Sequence, residues 1–200
     1  MVGDFGMRIE PRALDKGRDE RLKAELLSFM NPTPSSYKVC GERCGNSAAS
    51  VCSMSCPDFR DSMSTDPKEG IEEAIAPMVF ELARLSPLDP CWSCEGHLDP
   101  MGELWKTPKV WFYCDSIVAI RVLTASIQDL FLVRKLSAQW QIAAVYTGET
   151  GLDPMFSIQP CIQEGDGDTL RRLRKDSALI STHVNDLFRR HAGQFKASLR

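Results

Sequence analysis

Apolar positions along the 200-residue chain recur with two different periods. Leu22, Leu26 and Phe29 are spaced as one face of a helix, which predicts a helix over Arg18–Met30 that stops at Asn31-Pro32. Asp66-Pro67-Lys68-Glu69 reads as a helix start, with Asp66 as N-cap, Pro67 in the first turn and Glu69 closing a capping box. Ile71, Ile75, Met78, Leu82 and Leu85 would line its inner face, Pro77 would kink it, and Pro87 and Pro90 would end it. Ile120, Leu123, Ile127 and Leu130 mark a third helix over 117–136, with Arg121, Gln128 and Lys135 off the stripe. A last helix, capped by Asp168, reaches about His191 with Leu170, Leu173, Ile180, Val184 and Leu187 inward.

Between the helices lie short segments of strand composition: Lys109–Cys114, Trp140–Tyr146 and Met155–Ile162, with Cys91–His97 a short strand or loop. The order strand, strand, helix, strand, strand, helix predicts an α+β fold, with helices on one face of a small, largely antiparallel four-stranded sheet. A Cys-rich N-terminal helical extension precedes it, dividing the chain into residues 1–66 and 67–200.

Composition changes this picture at one point only. Hydrophobic and charged shares of 43% and 26% are ordinary, and a net charge of −3 argues against coating nucleic acid by bulk charge. The chain nevertheless carries 8 cysteines. Met1–Glu20 is charged and has no apolar core of a secretory signal, so a cytoplasmic location is expected. The longest apolar stretch, 117–136, contains Arg121, Asp129, Arg134 and Lys135, so no membrane span is expected. Thiols in a reducing compartment favour metal binding or thiol chemistry over disulfides.

Six of the cysteines fall in two groups. Cys40-x3-Cys44 and Cys52-x3-Cys56 form two pairs that would each stack on one face of a helix. Four thiolates match tetrahedral zinc or an iron–sulfur cluster. Val39, Val51 and Met54 are almost the only large apolar residues nearby, so a metal clip would supply order that packing does not. Zinc more often uses Cys-x2-Cys, and twin Cys-x3-Cys also resembles disulfide-linked helical hairpins. Free thiols are the third reading of this group.

The second group is Cys91-Trp-Ser-Cys94-Glu-Gly-His97, with Cys114 on the next expected strand. Cys91, Cys94, His97 and Cys114 would form a closed site, or a three-ligand site with one open position. The closed form requires Cys114 to stand beside Cys94 across a strand pair. A thioredoxin-like reading is disfavoured because Glu95-Gly96-His97-Leu98-Asp99-Pro100 is a poor helix start. Cys94 and His97 can also be read as a catalytic thiol–imidazole pair. Side chains three apart in a strand point to opposite faces, so that pairing needs a turn at Gly96. For Cys114 and Cys161 a plain core role is an equal alternative.

Other residues have simpler expectations. Asp115 or Ser116 would cap the helix after Cys114. Glu95 and Asp99 could orient the His97 ring, although solvated loop acids are the plainer reading. Gly165-Asp-Gly-Asp reads as a turn and helix cap, because the spacing and terminal Glu of a calcium loop are missing. His191 falls on the apolar stripe of the last helix as a packed histidine.

Charge is uneven: residues 57–90 carry eight acids against three bases, and residues 171–200 eight bases against two acids. Arg171, Arg172, Arg174 and Lys175 oppose the dipole in the first turns of the last helix, which marks them as a candidate anion site or as partners of the chain's own acids. No RNA-binding signature of alternating aromatic and basic strand residues is present, so a nucleic-acid partner is not expected.

Ser93-Cys94-Glu95-Gly96-His97, followed by Leu104-Trp105 and Val110-Trp111-Phe112, is similar to the Ser-Cys-Ser-Gly motif and aromatic strand of the wybutosine-synthesis tRNA methyltransferases. The resemblance departs at several positions and assigns no role to any residue.

The leading expectation is a cytoplasmic, thiol-rich metal-binding protein, holding zinc or an iron–sulfur cluster, for metal handling or metal-assisted catalysis. One alternative is an enzyme on RNA or a phosphorylated small molecule, using Cys94 and His97 and holding the anion on the basic helix. Another is an interaction protein whose metals are structural clips.

Overall fold

The computed structural model describes residues 17–30, 71–146 and 153–199. The Cys40–Cys56 group and the segment 66–70 lie outside the described residues.

Helix α1 spans Arg18–Met30, as its spacing predicts, and buries Leu26 and Phe29. Helix α2 spans only Ala76–Ala83. Pro77 sits in its first turn and does not kink a longer helix. Proline has no N–H and crowds the turn before it, so the first turn is where a helix tolerates it best. Residues 71–75 form a turn, held by bonds from the Ile75 and Ala76 amides to the Glu72 carbonyl. Ile71, Ile75, Met78, Leu82 and Leu85 are all buried, so the predicted apolar face survives this change of backbone.

Strand β1 (Asp89–Cys94), a two-stranded ribbon β2 (His97–Leu98) and β3 (Leu104–Lys106), and strand β4 (Lys109–Tyr113) follow. Helix α3 is Ile117–Leu132, and its N-cap is Ser116, whose hydroxyl accepts from the Ala119 amide. Strands β5 (Trp140–Val145) and β6 (Met155–Pro160) lead to helix α4, Gly167–Ser198. The cap of α4 is Asp166 rather than Asp168: it accepts from the Thr169 amide and hydroxyl, which hold its carboxyl below the usual range. The helix runs past His191 because Ala192 and Phe195 continue the inward stripe.

The main sheet has the order β1-β4-β6-β5 and is antiparallel throughout. Val110, Phe112 and Ile158 lie on one face and join a single core with residues from all four described helices, including Leu26, Met78, Leu123, Val184 and Phe188. The expected α+β architecture, helices on one face of a four-stranded antiparallel sheet, is the one observed. The other face carries Trp92 packed on Trp111, with ring centroids 4.6 Å apart. A second small cluster of Leu104, Ala138, Leu170 and Leu173 ties the ribbon to the start of α4. The sequence pattern did not predict this ribbon, and it carries His97. No helix among the described residues is long and apolar enough to cross a membrane.

Candidate metal centre

Cys94 is the last residue of β1, and the chain turns at once. Gly96 adopts φ +84°, a conformation that favours glycine. A Cβ there would stand 2.7 Å from Leu170 Cδ1 and 2.9 Å from both the Lys106 carbonyl and Pro108 Cδ. This corner, packed against α4 and the ribbon, supplies the turn that a Cys94–His97 pairing requires. It also lets the Gly96 amide donate to Cys94 Sγ at 3.4 Å.

The third member comes from the turn before α2. Glu72 places Oε1 2.9 Å from His97 Nε2, and its Oε2 accepts from the Glu95 amide at 2.6 Å. Donor atoms of Glu72, Cys94 and His97 all lie within 4.8 Å of one another. Cys94 is only 3% exposed, whereas the Glu72 and His97 side chains are 36% and 38% exposed. The group is therefore buried at its cysteine and partly exposed at its histidine and glutamate side chains.

A surrounding layer fixes these donors. The Arg174 guanidinium donates to Glu95 Oε1 at 2.7 Å, to the Glu95 carbonyl at 3.1 Å and to the Gly96 carbonyl at 2.8 Å. Glu95 Oε2 accepts from the Ala74 amide at 2.9 Å. One arginine on α4 thus clamps the β1–β2 corner, and one carboxylate ties that corner to the turn bearing Glu72. Glu95 does not orient His97 directly, and Asp99 accepts from the Met101 and Glu103 amides of its own turn. Glu72, absent from the sequence-based candidates, takes the place next to the ring. Its signal in the sequence is weak: one acid in an acidic segment whose spacing predicts a helix.

The remaining predicted ligands are placed elsewhere. The closed site required Cys114 beside Cys94, but Cys94 pairs with Lys109, and Asp89 pairs with Tyr113, the residue before Cys114. Cys114 is therefore about five residues along the strand from Cys94, roughly 16 Å at strand rise. Its thiol donates to the Ser116 carbonyl, and burial raises its pKa. Cys91 lies on β1 with its sulfur 3.7 Å from Met155 Sδ. Burial, then the Asp89 charge, push the Cys91 thiol up to about 11. Cys161 is exposed, and all four described cysteines are free thiols.

The basic cluster on α4 divides. Arg174 serves the corner, Arg171 pairs with Asp168 at 2.8 Å, and Arg172 donates to the Thr169 hydroxyl. Lys175 is exposed. His191 is half-buried near Phe195, with Nε2 3.7 Å from Asp129.

Burial raises the Cys94 thiol's pKa; the Gly96 amide opposes it, the Glu72 charge adds to it, and Lys106 and Lys109 lower it slightly. A thiol so placed is a poor free nucleophile near neutral pH. The same convergence of sulfur, imidazole and carboxylate suits a divalent cation, which would draw off the thiol proton and offset the carboxylate. No family model matches this chain, and neither the curated proteins nor the solved structures searched contain a match.

Proposed function

We propose that the protein binds a divalent metal, zinc by ligand type, through Glu72, Cys94 and His97, and uses it in metal-assisted catalysis in the cytoplasm. The observation that carries this reading is the meeting of three different donors from two separate chain segments within 4.8 Å. One sulfur, one nitrogen and one oxygen suit zinc better than an iron–sulfur cluster, which takes mainly thiolates. Three protein ligands leave a fourth position for water or substrate, the arrangement of catalytic rather than structural zinc. Held there, the ion would supply Lewis acidity to an oxygen of the bound molecule. The chain's own part is to orient the ligands: Arg174 and Glu95 hold the corner, and the Gly96 amide points at the sulfur. Cys40, Cys44, Cys52 and Cys56 remain the proposed second site, for zinc or an iron–sulfur cluster.

The test separates the two sites. All four cysteines of the N-terminal group are changed to serine, and the full chain is purified without oxygen and titrated with zinc and cobalt. One metal per chain is expected, with a cobalt–thiolate absorption that disappears in Cys94→Ser and falls in His97→Ala and Glu72→Gln. A folded chain that takes up no metal overturns the proposal.

A further inference from the structure

The site's immediate neighbours carry a charge pattern that its ligands do not balance. In β1–β4 pairing Lys109 stands directly across the ladder from Cys94, and in the ribbon Lys106 stands across from His97. Directly opposed residues hold their Cβ atoms about 5 Å apart, so each lysine stem begins beside a proposed ligand. Both lysines are half-buried, and neither is paired with a carboxylate among the described residues. Lys106 instead lays its Nζ 4.2 Å from the centroid of the Trp105 ring, which is 65% exposed.

The charges around the site can be counted. A divalent ion with one thiolate, one carboxylate and a neutral imidazole has no net charge. Glu95 and Arg174 cancel each other. Lys106, across from His97, and Lys109, across from Cys94, then add two positive charges beside the site. A dianion with one oxygen directed to the open metal position would match that excess, and an exposed indole next to it offers a stacking surface for a planar ring. We infer that the substrate of this site is a phosphate monoester attached to a planar ring, with its phosphate between Lys106 and Lys109 and its ring on Trp105. This rests on the metal reading above and extends it. It also moves the anion from the start of α4, where three of the four bases already have intramolecular partners.

Zinc content and ligand binding are measured on the same sample of the full chain, with inorganic phosphate, methyl phosphate and phenyl phosphate as probes. All three should bind the zinc-loaded protein, phenyl phosphate about tenfold more tightly than methyl phosphate, as about 1.4 kcal/mol of stacking would produce. The Lys106→Gln/Lys109→Gln variant should keep its zinc and lose at least about tenfold in affinity for all three. Trp105→Ala should remove the preference for phenyl phosphate, read as the ratio of phenyl to methyl phosphate affinity; a ratio that stays at about tenfold overturns the assignment of the ring to Trp105. Zinc bound with phosphate affinity unaltered in the double-lysine variant, or no phosphate binding at all, overturns this inference alone. A folded chain without zinc overturns the reading of the site itself.

Discussion

Two carboxylate-centred clusters join α4 to the sheet side of the molecule, and they are built in opposite ways. Asp176 is 2% exposed, and its two oxygens accept from the Ser137 amide and hydroxyl, the Ala138 amide and the Trp140 indole. Oδ2 takes four donors and Oδ1 shares the Ser137 amide, all from residues 137–140, so the group is held from within the chain. Glu72 is 36% exposed, takes one amide on Oε2, and turns its other oxygen to His97 beside a buried sulfur. A saturated buried carboxylate sets a loop in place, whereas an incompletely satisfied carboxylate beside a thiol and an imidazole has room for a further atom. Arg174 and Asp176, two residues apart on α4, serve one cluster each.

The contrast is broken most strongly at Asp176. Asp176→Ala leaves the Ala138 amide and the Trp140 indole buried without partners and should cost about 3–4 kcal/mol in denaturant unfolding. Folded Asp176→Ala should bind zinc as the parent does. Gly96→Ala should cost about 2–3 kcal/mol, since the added methyl meets Leu170 and two backbone-fixed neighbours at a strained φ. Unlike the Asp176 change, it should also abolish metal binding by separating Cys94 from His97, read by cobalt absorption.

Arg174→Ala inverts the balance of effects. Unfolding should shift by only about 1 kcal/mol, because the side chain is partly exposed and its bonds are replaced by water. Zinc affinity should drop about 10–100-fold, as when supporting partners of metal ligands are removed. Equal losses at Arg174 and Asp176 in both measurements would erase the distinction drawn between the clusters.

The smallest effect is expected at Cys91, outside both clusters. Its thiol is held up to about 11 in the fold from an ordinary value of 9.0. The folded state therefore holds the proton more tightly than the unfolded chain. The contribution to stability is fully present below pH 9 and is lost as pH rises through about 11. Cys91→Ser should flatten that part of the unfolding-versus-pH curve and leave zinc affinity unchanged; a loss of zinc would return Cys91 to the ligand set.

Much of the fold was legible because it depends on short-range periodicity. Val110 and Phe112 alternate with partly exposed neighbours, and Leu123, Ile127 and Leu130 repeat at helical spacing, so burial follows from local pattern alone. Pro77 was visible as a discontinuity, but whether it kinks a helix or begins one depends on packing around 71–75. The ribbon β2–β3 has too few residues to show alternation. At the site, Cys94 and His97 were legible as neighbours with a required turn at Gly96. Glu72, Glu95 as a tether and Arg174 as a clamp were not, because each meets its partner only through contacts 21 to 79 residues apart in the chain.

The amino-acid sequence by itself therefore determined the alternation of helices and strands, the inward faces, and the Cys94-Glu95-Gly96-His97 corner, since all of these arise from interactions within a few residues. Only the tertiary structure decided which donors meet. Strand register carried Cys114 to the far end of β1, and the early turn at 71–75 brought Glu72 to His97. Register and turn position are set by the packing of the whole core, and a ligand set is a statement about distances that no local pattern contains.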